Sequence, residues 1–133
     1  MRVFADTSFL LSSLISDGFS QRVFENILLN HQLVLSQRVR NELVGKLKNK
    51  FHVPNAAIDI FLQRMHGYEI VADSKEILYR LRDPNDDIIL STAILTGAEV
   101  IITGDKDLLT MNDKVQEINI LNPREFWEKY NDL

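Results

Sequence analysis

The sequence predicts an α/β fold, a three-layer α/β/α sandwich around a central parallel sheet. Two observations carry this. Short apolar runs alternate along the chain with amphipathic stretches of helical spacing. The run Val100 to Ile102 is apolar on both faces, as a strand inside a parallel sheet must be. The alternation implies right-handed βαβ units with helices on both faces of the sheet. A length of 133 residues with 45% hydrophobic content suits one domain, residues 1–133, with a continuous core.

The elements follow in order. Val3 to Ala5 is a short strand ending at Asp6, and Thr7 and Ser8 are cap candidates for a helix through Phe9, Leu10, Leu11, Leu14 and Ile15. Ser20 opens a second helix bearing Val23, Phe24, Ile27 and Leu28, and Leu33 to Leu35 form the second strand. Ser36 is placed to cap the helix of Val39, Leu43 and Leu47. Pro54 and Asn55 interrupt the chain before a helix through Ile58, Phe61, Leu62 and Met65, and Tyr68 to Val71 is the third strand. Asp83 at N-cap and Pro84 at N1 start the clearest helix, which runs through Ile88 to Leu95 and stops at Gly97. Val100 to Ile102 is the fourth strand, with Thr103 to Asp107 as a loop at its end. A last strand near Ile118 to Leu121 leads to Pro123, which opens a helix bearing Phe126, Trp127 and Tyr130.

No stretch reaches the roughly 18 apolar residues of a membrane span, and the N-terminus has no signal-peptide pattern, so a soluble cytoplasmic protein is expected. With no cysteine, any metal site must use oxygen or imidazole ligands, which suits Mg²⁺ or Mn²⁺. The net charge of -4 disfavours a general polyanion-binding surface. Its distribution is uneven, however. Arg38, Arg40, Lys46, Lys48 and Lys50 stand against the single acid Glu42 between Ser36 and His52. That permits a basic strip beside an acidic pocket, as an enzyme acting on nucleic acid with a metal would use; as a plain alternative it is a solvated helix face.

Three acids stand out. Asp6 and Asp105 each follow a predicted strand, where ligands of open α/β sheets bind, although each also fits an Asx-turn or helix cap. Gly104 would let the chain turn sharply before Asp105. Asp86 heads the buried stripe of its helix, since Ile89, Leu90 and Ala93 lie three, four and seven residues on. Its structural alternative is a capping box with Asp83, and Asp87, on a more mixed face, ranks second. Glu42 reads from its neighbours as a surface ion pair with Lys46.

The segments FADTSFLLS, LSQRVRNEL, DPNDDIILSTAILTGAEVIITGDKDLL and NPREFW together resemble the PIN-domain nucleases, specifically the toxin-like branch of bacterial and archaeal toxin-antitoxin systems. The resemblance spans nearly the whole chain in the expected order. It implies a metal-dependent endoribonuclease that leaves a 3′-hydroxyl, with Asp6, Glu42, Asp86 and Asp105 as the catalytic acids. Asp6, Asp86 and Asp105 would hold one or two Mg²⁺ or Mn²⁺ ions, and Glu42 would hold a second ion or orient water. Asp107 is a substitute for, or support to, Asp105, and the hydroxyls of Thr7 or Ser8 would orient Asp6 or a bound water. An RNA substrate guided by Arg38, Arg40, Lys46 and Lys48, an antitoxin partner and a homodimer are further implications.

Other signals are weaker. His31, His52 and His66 share no ligand spacing, and Tyr68, Tyr79 and Trp127 do not interleave with basic residues, so structural roles are expected for all six. A haloacid-dehalogenase-type phosphatase would also place an aspartate after its first strand, but it expects a second acid where Ser8 stands. No Gly-rich loop follows the first strand, which disfavours a nucleotide-binding module. The alternative outside enzymology is an RNA-binding or scaffold domain that kept the fold and lost the reaction.

Overall fold

The structure is a computed structural model describing residues 1–16, 18–65 and 67–131. Its centre is a parallel sheet of β1 (Arg2–Ala5), β2 (Gln32–Ser36), β3 (Glu69–Val71), β4 (Val100–Ile102) and β5 (Asn119–Leu121) in the order β3-β2-β1-β4-β5. Phe4 pairs with Val34 on one side and Ile101 on the other. Val3 to Ala5 and Val100 to Ile102 are wholly buried, because helices cover both faces. This is the expected α/β architecture. The chain builds outward from β1 to β2 and β3, then crosses back to β4 on the other side, so strand order reverses between β1 and β4. Their carboxyl ends diverge there into separate connections, leaving a crevice at the switch point.

The helices are α1 (Thr7–Ile15), α2 (Phe19–Asn30), α3 (Gln37–Asn49), α4 (Asn55–Arg64), α5 (Pro84–Leu95), α6 (Lys106–Leu109) and α7 (Pro123–Tyr130). Their ends follow local chemistry. Ser36, wholly buried, caps α3 by accepting from the Val39 amide at 3.1 Å. Asp83 caps α5 through the Asn85 amide at 2.9 Å with Pro84 at N1. The same helix ends in a Schellman motif: Gly97, at φ +79°, donates to the Ile94 carbonyl, and Ala98 donates to that of Ala93. Asn122 and Glu125 form a full capping box at α7.

Some expectations need correction. Ser20 lies inside α2, which starts at Phe19, and its hydroxyl accepts from Ser12 instead of capping. The stretch Thr103 to Asp107 is not all loop, because Asp105 caps α6 and Asp107 lies in its first turn. The connection from β3 to α5 has no regular structure. It is held by α5 side chains: Thr92 Oγ1 accepts from the Ser74 amide at 2.9 Å, Ser91 Oγ from Leu78 at 2.9 Å, and Asp87 Oδ1 from Leu81 at 2.5 Å. Those three side chains satisfy backbone donors that have no ladder partner. Among the described residues, no helix is long and apolar enough to cross a membrane.

Candidate active site

Asp6 leaves β1 at the switch point with its carboxylate almost fully buried. It occupies the N-cap position of α1 without capping it. Instead Thr103, at the end of β4, donates its hydroxyl to Asp6 Oδ2 at 2.7 Å, and Ser8 donates to the same oxygen at 3.2 Å. Burial raises the Asp6 pKa, the two hydroxyls oppose that rise, and the Asp105 charge adds to it. Thr103, which the sequence reading passed over as loop, is therefore the group that joins the two central strands. Its oxygen also accepts from the Asp105 amide at 3.0 Å. Gly104 adopts no left-handed conformation; its amide donates to Ser8 Oγ at 3.0 Å, so its contribution is a bond across the switch point and not a sharp turn.

Asp105 is a helix cap, as one of its two readings had it, and it also lies among other carboxylates. Its Oδ1 caps α6 by accepting from the Asp107 amide at 2.9 Å, and its carboxylate also faces Asp86 and Asp107. One carboxylate oxygen from each of Asp86, Asp105 and Asp107 lies within 4.8 Å of the others. Asp107, expected only as a substitute for or support to Asp105, stands in this group of three, whereas Asp6, expected with Asp86 and Asp105, does not.

Asp86 is buried at the head of α5 and accepts no hydrogen bond among the described residues, so the capping-box alternative does not hold. Burial and then the charges of Asp105, Asp6, Asp83 and Asp107 push its pKa up to about 7. No cation is among the groups acting on it. Asp87, one residue on, faces the other way: its carboxylate holds the Leu81 amide and, at 3.5 Å, the exposed Arg80. It is a structural anchor.

Glu42 does not form the expected ion pair with Lys46 among the described residues. Its Oε2 accepts from Thr7 Oγ1 at 3.1 Å, which ties it to the residue that follows Asp6. Arg38, one turn earlier on α3, donates from Nη1 to Asn85 Oδ1 at 3.0 Å in the first turn of α5, while its amide is held by Asp73. The basic strip divides in two. Arg38 and Lys46 share the Glu42 face at spacings of four, whereas Arg40 and Lys48 lie beside Asn55, Asp59 and Leu62 toward α4. A helix turning every 3.6 residues cannot align all four.

Structural contacts are made by His31, Trp127 and Tyr79, whereas His52 is exposed. His31 packs edge-on against Phe126, Trp127 against Phe19, and Tyr79 donates to Glu117 at 2.6 Å. His66 lies outside the described residues.

The donor set fits a hard divalent cation: three carboxylates within reach of one ion, with Asp6 buried alongside and, among the described residues, no imidazole in the group.

An open parallel sheet with carboxylates gathered at its switch point defines a class of α/β domain built around an acidic centre. Within that class the chain belongs to the PIN domain family, whose sequence profile matches residues 2–107. No curated protein matches the sequence at a significant level. Among solved structures the chain is similar to a chain in the crystal structure of VapBC2 from Rickettsia felis bound to a DNA fragment from their promoter. The TM-score is 0.66 and the identity 21%, over 92% of this chain and 98% of that one.

Proposed function

We infer that this protein is a metal-dependent endoribonuclease and the toxin component of a toxin-antitoxin pair. The observation that carries the reading is the Asp86 carboxyl, buried among Asp105, Asp6, Asp83 and Asp107 with no protein cation acting on it. Such crowding costs stability unless a positive ion enters, and a scaffold or RNA-binding domain has no use for it. Asp86, Asp105 and Asp107 would hold Mg²⁺ or Mn²⁺, with Asp6 close behind. A divalent ion in that cluster supplies charge neutralisation and Lewis acidity to phosphodiester hydrolysis.

The chain's own groups do the rest. Thr103 and Ser8 fix the Asp6 carboxylate. Thr7 holds Glu42 at the edge of the cluster, where its carboxylate can orient an attacking water and take its proton. Arg38, on the Glu42 face, would meet the RNA backbone. The likeness to a chain of VapBC2, together with the resemblance to toxin-like PIN proteins, supports a cognate antitoxin partner and cytoplasmic action.

Purified protein given a mixed cellular RNA with Mn²⁺ should cut it, and chelator should stop the reaction. Asp86→Asn should abolish both cleavage and Mn²⁺ binding measured by calorimetry. Metal binding with no cleavage of any RNA would return the protein to the scaffold reading.

A further inference from the structure

We propose that the exposed face of α3 carries a seat for the backbone of single-stranded RNA, running away from the acidic centre from Glu42 to Phe51. This rests on the acidic cluster being an RNA-cutting centre and names the path by which the strand reaches it.

Three observations point to the seat. Glu42, Gly45, Lys46, Asn49 and Lys50 line one shallow open depression along α3, and it begins at the carboxylate that Thr7 ties to the site. The depression thus starts at Glu42 and gains positive charge with distance from it. Phosphates would be repelled near the carboxylates and held by Lys46 and Lys50.

The second observation is Gly45. It lies in the interior of α3, where glycine is destabilising relative to alanine. No packing requires it, because a Cβ built there would meet nothing within 4 Å and its φ is not in the left-handed region. The space above Gly45 is kept clear of the protein's own atoms. A glycine with that property beside a cleft permits close approach of a ligand to the helix backbone.

The third is Phe51, a large aromatic that is 39% exposed. Lys50 Nζ lies 5.5 Å from its ring centroid, so charge and aromatic surface meet at the far end of the depression. Exposed aromatics beside a basic groove are how proteins hold unstacked bases, which selects single strands over duplexes. A helix-dipole role explains Lys46 and Lys48 equally, since both lie in the last turn of α3. It explains neither Gly45 nor Phe51.

The opposite face of the same helix supplies the control. Arg40 and Lys48 carry the same charge but lie toward α4. Binding of a 5′-labelled unstructured RNA to the full chain, read by fluorescence anisotropy in chelator so that no strand is cut, compares the two faces. Lys46→Ala with Lys50→Ala should weaken binding about tenfold and reduce the log-log salt slope by about 1.4, the value for two single-strand phosphate contacts. Arg40→Ala with Lys48→Ala should leave both nearly unchanged. Phe51→Ala should weaken binding about fivefold or more. Gly45→Leu should raise the melting temperature, by better helix propensity, while weakening binding.

Equal losses from the two pairs, or undiminished binding by Gly45→Leu and Phe51→Ala, overturn the seat. So does a parent that binds no RNA, or one from which polyglutamate blocks the lysines as well as RNA does, which marks a surface for an acidic protein segment. A parent that binds through this face yet cuts nothing with Mn²⁺ keeps the seat and removes the nuclease reading.

Discussion

Thr103 Oγ1 sits 2.7 Å from Asp6 Oδ2, joining β1 to β4 at the point where their connections part. Because the Thr103 side chain is wholly buried, this bond is a fixed part of the acidic centre and not a solvent-exchanged contact.

Thr103→Val removes the donor while keeping the shape. It leaves Asp6 with Ser8 as its remaining side-chain donor, and it strips the Asp105 amide of its acceptor. Hydrogen bonds to buried charged groups are worth ~1.5-3 kcal/mol, so urea unfolding of the metal-free variant should show a loss of that order. Thr103→Ser keeps the hydroxyl and should recover most of the stability and all detectable cleavage. Equal stability of Thr103→Val and the parent would mean that Asp6 is protonated and needs no donor.

The Asp86 carboxyl titrates at about 7 in the folded chain against an ordinary value of 3.8. Between those values the folded state binds the extra proton, so metal-free stability should fall as pH rises from about 4 to about 7 and level off above. The raised Asp6 pKa acts in the same direction. Asp86→Asn removes one of the two raised carboxyls and should make the profile shallower, leaving the metal-free variant at least as stable as the parent above neutrality despite losing a helix-dipole interaction of ~0.3-1 kcal/mol. Mn²⁺ should raise the melting temperature of the parent, by mass action, and not that of the variant. A variant less stable than the parent across the whole range, with its metal response intact, would make Asp86 a structural residue.

Glu42→Gln preserves a side-chain oxygen that can accept from Thr7 and removes the carboxylate proposed as the base. Folding stability and Mn²⁺ affinity should change little. Turnover should drop on the order of a hundredfold or more, the usual contribution of a general base. Single-turnover cleavage at saturating RNA separates that loss from weaker binding, and a near-normal rate would leave Glu42 as a structural partner of Thr7.

Asp87 provides the matched contrast to its neighbour. Asp87→Ala leaves the Leu81 amide without its acceptor, which should cost ~1-3 kcal/mol and expose the β3 to α5 connection to limited proteolysis. Mn²⁺ binding should persist, because the carboxylate faces away from Asp86. Lost metal binding in a folded Asp87→Ala protein would exchange the roles assigned to the two aspartates.

The alternation of apolar runs made the parallel sheet legible, and Asp6 and Asp105 were legible as strand-end acids because their positions depend only on local pattern. The position of Asp86 at the head of a buried stripe was equally local. Glu42 was legible only through the family resemblance, since its partner Thr7 comes from another element and its own helix offers the decoy Lys46. Thr103 was missed because a threonine after a strand carries no sign that its hydroxyl crosses to β1. The division of Arg40 and Lys48 from Arg38 and Lys46 could have been read from the helical period, but local net charge hides direction. The strand order was out of reach, because it depends on which strands meet and not on what each contains.

Because β1 lies between β2 and β4, the chain can build half the sheet before any of the fourth strand exists. Asp105 and Asp107 arrive only after that strand has docked on β1, late in N-to-C synthesis. A ribosome-bound chain that has exposed β1, β2 and β3 therefore presents Asp6 and Glu42 without the cluster. Such a nascent chain lacks Asp86, Asp105 and Asp107, whose carboxylates come together only when the fourth strand has closed against the first.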